Sequence, residues 1–277
     1  MIEFKAFDNG FEYIQVTNAS ASAKIALQGG HVFHYARQGE IPLLWVSEAS
    51  DFEYGKAIRG GVPICWPAFG MNNPSLPQHG FARYSMFKLL SCNEINATKT
   101  EIILSLQDSE ESLKLWPHRF RLVLKITLSE VLEIGLETIN TDTNEFTVTQ
   151  ALHTYFQVSD ISTAKVRGLD NKPCLDALTN KRFTYSGDIV FAEEVDLVFQ
   201  EVDGGIGLID SGRDVKITSS GSSSVVVWNP WIDKCARMSG MAKQSYKTFV
   251  CIETANAFDD FKVIKPGESH TIRAVIQ

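Results

Sequence analysis

Residues 120–137 read FRLVLKITLSEVLEIGLE. Phe120, Leu122, Leu124, Ile126 and Leu128 share one parity, and Leu132, Ile134 and Leu136 repeat the pattern against Glu133 and Glu137. A period of two is the signature of a strand that buries one face. The same short runs, rich in β-branched and aromatic residues, recur at FEYIQV (11–16), SAKIAL (22–27), EIILSL (101–106), DVKITS (214–219), SVVVWN (224–229) and KTFVCIET (247–254). DNG (8–10), QGG (28–30), DGG (203–205) and PGE (266–268) punctuate them as turns. Helical periodicity is scarce, best over roughly 231–243, and strands do not alternate with long helices. The expectation is an all-β, antiparallel sandwich of two large curved sheets. No linker, composition shift or internal repeat appears, so residues 1–277 read as a single domain.

With 44% hydrophobic and 21% charged residues the chain has enough apolar surface for a real core. The opening MIEFKAFDNG lacks a basic segment followed by an apolar one, and no apolar run approaches the ~18 residues of a membrane span. The expected location is therefore cytoplasmic. Cys65, Cys92, Cys174, Cys235 and Cys251 are odd in number and scattered without a CxxC pair, which suits reduced thiols rather than a disulfide framework or a structural zinc site. A net charge of −7 argues against nucleic acid or an anionic membrane as partner, and nothing points to an obligate protein partner. GGIG at 204–207 lacks the third glycine and the βαβ setting of a dinucleotide fingerprint, and neither a phosphate-binding P-loop motif nor a GxSxG elbow occurs.

Charge is unevenly placed. From Tyr54 to Asn93 there is no Asp or Glu, although 33 acids in 277 residues would put about five there. The window holds Lys56, Arg59, Arg83 and Lys88, the two arginines within the loop-like stretches IRGGVPICWPAFG (58–70) and PQHGFAR (77–83). Arginine's planar fork fits a phosphate, and two such forks facing one hollow suit a dianion. Structural ion pairs are the other reading of Arg59 and Arg83. His79 between them is either a hydrogen-bonded loop histidine or a ligand contact.

TQALHTYF (149–156) places His153 on a strand face with Thr149, Ala151 and Tyr155. In TFVCIET (248–254) Glu253 shares a face with Phe249 and Cys251, while Val250 and Ile252 fill the other. A glutamate in such surroundings is costly unless paired or used, because desolvation disfavours its charged form. An arginine partner or a role as base would account for Glu253. A satisfied core position is the alternative for His153.

These segments resemble the hexose-6-phosphate mutarotases, the glucose-6-phosphate 1-epimerase branch of the aldose 1-epimerase family. IRGGVPICWPAFG, PQHGFAR, ALHTYFQVSDI, VDLVF (195–199), VVWNPW and YKTFVCIET fall in that branch's order, and the resemblance covers nearly the whole chain. It implies a galactose-mutarotase-like supersandwich with few short helices and an active site that needs no cofactor or metal. It further implies interconversion of the α and β anomers of D-glucose 6-phosphate or related hexose 6-phosphates. By the same resemblance His153 corresponds to the general acid and Glu253 to the general base. Arg59 and Arg83 correspond to phosphate contacts, and His79 and Asp196 to groups touching sugar hydroxyls. Two positions depart from the branch, Leu197 after that aspartate and Ala68 in WPAFG. The mechanism so implied has Glu253 as carboxylate and His153 as imidazolium on opposite sides of a hemiacetal, the carboxylate favouring the histidine's cation. A non-catalytic sugar-phosphate-binding sandwich is the rival reading, and a glycoside hydrolase, which calls for two carboxylates, fits less well. Trp66 and Trp228 are either sugar-stacking or core residues.

Overall fold

The computed structural model describes residues 1–71 and 73–277. The alternation of 120–137 is realised as two antiparallel strands, Phe120–Leu128 and Leu132–Asn140, with Leu124 opposite Leu136 and Ile126 opposite Ile134. Their apolar parity is buried throughout, each Leu or Ile contributing about 1.5–3 kcal/mol of transfer free energy. Arg121 and Lys125 on the other parity are exposed. These strands lie within a nine-stranded antiparallel sheet that also takes in Lys99–Gln107, Lys88–Asn96, Arg213–Ser220 and Ser269–Ile276.

A second, eight-stranded sheet faces it. Its order runs Lys181–Thr184, Pro173–Asp176, Val195–Phe199, Ser224–Asn229, Phe249–Asn256, Gln150–Leu152 and Ile64–Cys65, with Tyr155–Gln157 also paired to Phe249–Asn256. Ser224–Asn229 and Phe249–Asn256 are buried at every position, as expected of central strands covered on both faces. The two sheets touch through a shared apolar core and a set of polar bridges. Trp66 Nε1 donates to Thr138 Oγ1 at 3.1 Å, and Thr254 Oγ1 lies 2.7 Å from Ser219 Oγ. Because strand side chains alternate, Thr254 facing the nine-stranded sheet sends Glu253 to the opposite face. A four-stranded sheet, Ile2–Ala6, Glu12–Thr17, Ala21–Ala26 and His31–Arg37, and a two-stranded ribbon, Phe146–Val148 with Lys262–Ile264, complete the strands.

Among the described residues the α-helices are Glu110–Leu115, capped by Ser109, and Trp231–Arg237. The helical stretch expected over 231–243 therefore stops early. Met238 turns extended, and Gly240 takes a φ of 72°. None of these helices is long and apolar enough to cross a membrane.

Candidate active site

The free face of the eight-stranded sheet and the loops over it enclose a hollow of about 360 Å³. His153, Glu253, Arg59, His79, Arg83 and Asp196 all line it, so six residues spread over 195 positions of chain converge in one place. Contents rather than size distinguish this hollow. Four depressions of about 460, 510, 480 and 390 Å³ are roomier, but none holds a histidine or a deeply buried carboxyl.

The loops are held in shape by glycine. Gly60 and Gly61 take φ of 117° and 64°, and a Cβ on Gly60 would overlap the Trp45 carbonyl. This tight turn presents Arg59, whose Nε donates to the Ser239 carbonyl at 3.1 Å. Gly80, at φ 71°, lets the PQHGFAR segment run against the Trp66 carbonyl. Arg83, in the short 3₁₀ turn Ala82–Tyr84, donates to the Gln78 carbonyl at 2.6 Å, and its buried Nε has no partner. Neither arginine makes an ion pair among the described residues. Lys56, in the same acid-free window, is paired with Asp51 at 3.3 Å and Glu53 at 2.9 Å and stands outside the hollow.

His153 is not inside a continuous strand, contrary to expectation. It occupies a break between Gln150–Leu152 and Tyr155–Gln157. Its N–H donates to the Pro63 carbonyl at 3.0 Å and that of Thr154 turns back to Leu152, leaving the Ile252 N–H bond to the Thr154 carbonyl, 3.1 Å, as the link to Phe249–Asn256 here. Both flanks keep one alignment with Phe249–Asn256, Leu152 opposite Thr254 and Tyr155 opposite Cys251. That register sets His153 across from Glu253. Its Nε2 lies 3.3 Å from Glu253 Oε1, and its ring stacks on Tyr155 with centroids 4.9 Å apart. His153 Nδ1 and Glu253 Oε2 are buried without a hydrogen-bond partner. Open donors and acceptors of this kind are rare in folded interiors and costly to leave unmet.

Burial governs the charge states. Desolvation, with an added push from Asp196, holds the Glu253 carboxyl well above the usual range. Desolvation first, then His79, Arg83 and Arg59, drives His153 well below 6.5. Burial above all, helped by the Arg83 and Arg59 guanidiniums, thus favours a neutral pair over the expected imidazolium–carboxylate pair. The total number of protons is the same in both forms, and only the proton's seat differs.

His79 sits at φ 63° and accepts the Gly70 N–H on Nδ1 at 3.2 Å, so it is a hydrogen-bonded loop histidine whose ring also reaches the hollow. Burial, Arg83 and Arg59 lower it to about 3, which fixes it neutral with the proton on Nε2. Asp196, on Val195–Phe199 opposite Trp228, is raised to about 6 by burial against the pull of Lys234. Lys234 was not foreseen in the sequence. It reaches in from Trp231–Arg237, 2.6 Å from Glu194, 4.0 Å from Asp196 and 5.9 Å from the Trp228 ring centroid. Trp228 is a wall of the hollow, whereas Trp66 is fully buried against Trp116 and Phe120 and takes no part. Burial lifts Tyr155 and Cys251 well above their ordinary values, so neither exchanges protons near neutrality. No cluster of three or more His, Cys, Asp or Glu among the described residues is arranged to hold a metal ion.

A histidine and a carboxyl in contact, each with an open polar atom, can pass protons to and from two oxygens of one ligand. Known proteins agree with that chemistry. The Aldose 1-epimerase family model matches residues 12–277. A protein of Cenchrus ciliaris named "Putative glucose-6-phosphate 1-epimerase" is 38% identical over 94% of this chain and 82% of its own length. One of the same name from Escherichia coli K12 is 35% identical over 95% of this chain and 90% of its own. The crystal structure of a "putative mutarotase (YeaD)" from Salmonella typhimurium superposes with a TM-score of 0.93 at 32% identity, covering 99% of this chain and 92% of that one. The sandwich is of the galactose-mutarotase type, and the chain belongs to the aldose 1-epimerase family, enzymes that interconvert the anomers of sugars.

Proposed function

We propose that this mutarotase acts on D-glucose 6-phosphate or related hexose 6-phosphates, small molecules of the cytoplasm. The supporting observation is the pairing of opposites in one hollow: two guanidiniums without counter-ions beside a histidine–carboxyl couple whose outer atoms are open. A phosphate dianion satisfies the first, and the hemiacetal of a sugar the second. The names of the relatives from Cenchrus ciliaris and Escherichia coli point to the same substrate.

In the proposed reaction Glu253 takes the proton of the anomeric hydroxyl while His153 gives one to the ring oxygen. The ring opens to an aldehyde, rotation about C1–C2 exposes its other face, and the two groups exchange roles as the ring recloses. The anomeric and ring oxygens are bonded to the same carbon. Two side chains that touch at 3.3 Å therefore need only part slightly to serve both. His79 and Asp196 would contact sugar hydroxyls, the former as an Nε2–H donor.

Anomer exchange followed by NMR tests the proposal. Saturable acceleration with glucose 6-phosphate, and a much weaker effect on free glucose and galactose, is the expected result. An equal preference for free sugars overturns the phosphate reading. Background exchange with every sugar would favour a binding protein that has lost the family's activity.

A further inference from the structure

The sugar's phosphate has a second effect open to it besides binding. His153, the proposed acid, shares its hollow with Arg59 and Arg83, and among the described residues neither guanidinium makes an ion pair. The remaining charged or titratable groups facing it are Glu253 at 3.3 Å, His79 with its ring centroid 5.7 Å away, Tyr155 stacked at 4.9 Å, and Asp196 with Lys234 on the far wall. His79 is neutral, Tyr155 keeps its proton, and Asp196 is held by Lys234. The uncompensated field on the imidazole thus comes from the two arginines, and it opposes the cation that ring opening needs.

We infer that the substrate's phosphate, by neutralising Arg59 and Arg83, moves the shared proton from the Glu253 carboxyl to His153, so that the anionic tail arms the catalytic pair as well as anchoring the sugar. The step is a single proton transfer across the existing contact. Glu253–COOH and neutral His153 become Glu253–COO⁻ and His153–H⁺, with no change in the protons held. Arg83 and Arg59 both disfavour the histidine's cation, so their neutralisation would bias the transfer toward His153. An unphosphorylated sugar fills the hollow but leaves the arginines' field in place. Discrimination against it would then appear in kcat as well as in KM.

This inference rests on the proposed hexose-phosphate reading, and the test separates the two. Histidine-labelled protein is titrated by NMR alone, with 1,5-anhydroglucitol, and with 1,5-anhydroglucitol 6-phosphate, which has no anomeric hydroxyl to react; the His153 resonance is assigned by its loss in His153→Gln. The expected result is a histidine that stays neutral in the free protein and in the unphosphorylated complex. In the phosphorylated complex its protonation moves up by at least about one pH unit, a tenfold change in the proton's distribution. In Arg59→Ala that upward step should shrink, because part of the opposing field is already gone. A parallel assay adds phosphite dianion to free glucose. Exchange should accelerate at least about tenfold, as expected if filling the cradle arms the pair. If both analogues bind and His153 titrates identically in each, or phosphite leaves the rate with glucose unchanged, the inference fails while turnover of glucose 6-phosphate still upholds the substrate reading. Failure to turn over glucose 6-phosphate at all defeats both.

Discussion

On the solvent face of the nine-stranded sheet Lys125 meets Glu101 at 2.5 Å and Arg273 meets Glu133, diagonal neighbours on adjacent strands with the basic side chains about half open to water. In the hollow the same kinds of group are arranged the other way. Arg59 and Arg83 have no carboxylate, and Glu253, 1% exposed, has only a histidine for company. Pairing on the outer face satisfies each charge locally and leaves nothing for a ligand. Separation in the hollow keeps both signs unsatisfied within reach of one small molecule, at a cost to folding of the kind expected where function rather than stability shaped the packing.

The comparison is broken most directly at Glu253. Glu253→Gln preserves shape, and it should lower kcat by about 10²–10⁴-fold, the range for one positioned proton carrier. The melting temperature should not fall, because a buried carboxyl with an unpartnered oxygen is replaced by an amide. His153→Ala should lose a similar factor. Either variant keeping near-normal exchange removes the catalytic assignment. A collapse of stability in Glu253→Gln would show that the carboxyl is held for the fold.

Arg59→Ala comes next, with a loss of about 10–100-fold in kcat/KM, as expected for removing a charge-assisted hydrogen bond worth about 1.5–3 kcal/mol. Most of it should appear as a higher KM for the phosphorylated sugar, while the rate on free glucose should hold or rise, since part of the field opposing the His153 cation is gone. An equal loss on both sugars would mean that the arginine shapes the loop rather than holding the anion.

How much of this division is visible in the sequence depends on the range over which each feature is decided. Phe120–Leu128 coincides with its predicted strand because burial by parity is written into every second residue, and Ser224–Asn229 because a short β-branched and aromatic run suits a strand covered on both faces. The acid-free window is visible because charge composition is local, and the six residues named from it and from the resemblance all line the hollow. Within the window, sequence cannot sort the cations. Lys56 is claimed by Asp51 and Glu53, which lie just before it, whereas the Arg59 Nε finds only a carbonyl from residue 239. The break at His153 depends on a Pro63 carbonyl ninety positions away, and Lys234 enters from a helix on another edge of the hollow. The proton's seat within the His153–Glu253 pair is set by desolvation, which exists only once the chain is packed.

Asp196 sharpens the comparison through pH. Its folded value near 6 lies above the ordinary 3.8, so the folded state binds the extra proton. That contribution to stability is fully present below about 3.8 and is lost as pH rises through about 6. With its side chain 27% exposed, the loss should reach about 2 kcal/mol at most. Asp196→Asn has no such dependence. Chemical denaturation at acid and neutral pH should therefore show the asparagine variant gaining on the parent as pH rises, and a constant difference would mean that Lys234 already compensates the carboxylate.

The smallest effect belongs to the outer face. Lys125→Ala removes a close ion pair, yet the lysine is 56% exposed and its attraction to Glu101 acts largely through water. Exposed pairs measure about 0–1 kcal/mol, since ordering two side chains offsets most of the Coulomb gain. Anomer exchange should be unchanged and stability lowered by less than about 1 kcal/mol in dilute buffer. At 1 M salt the screening length falls to about 3 Å, and parent and variant should converge. The rate deficit of Glu253→Gln should persist in the same salt, because ions do not enter a contact buried beneath the substrate. If salt erased both differences alike, the hollow would be screened like an open surface and the contrast between the two faces would fail.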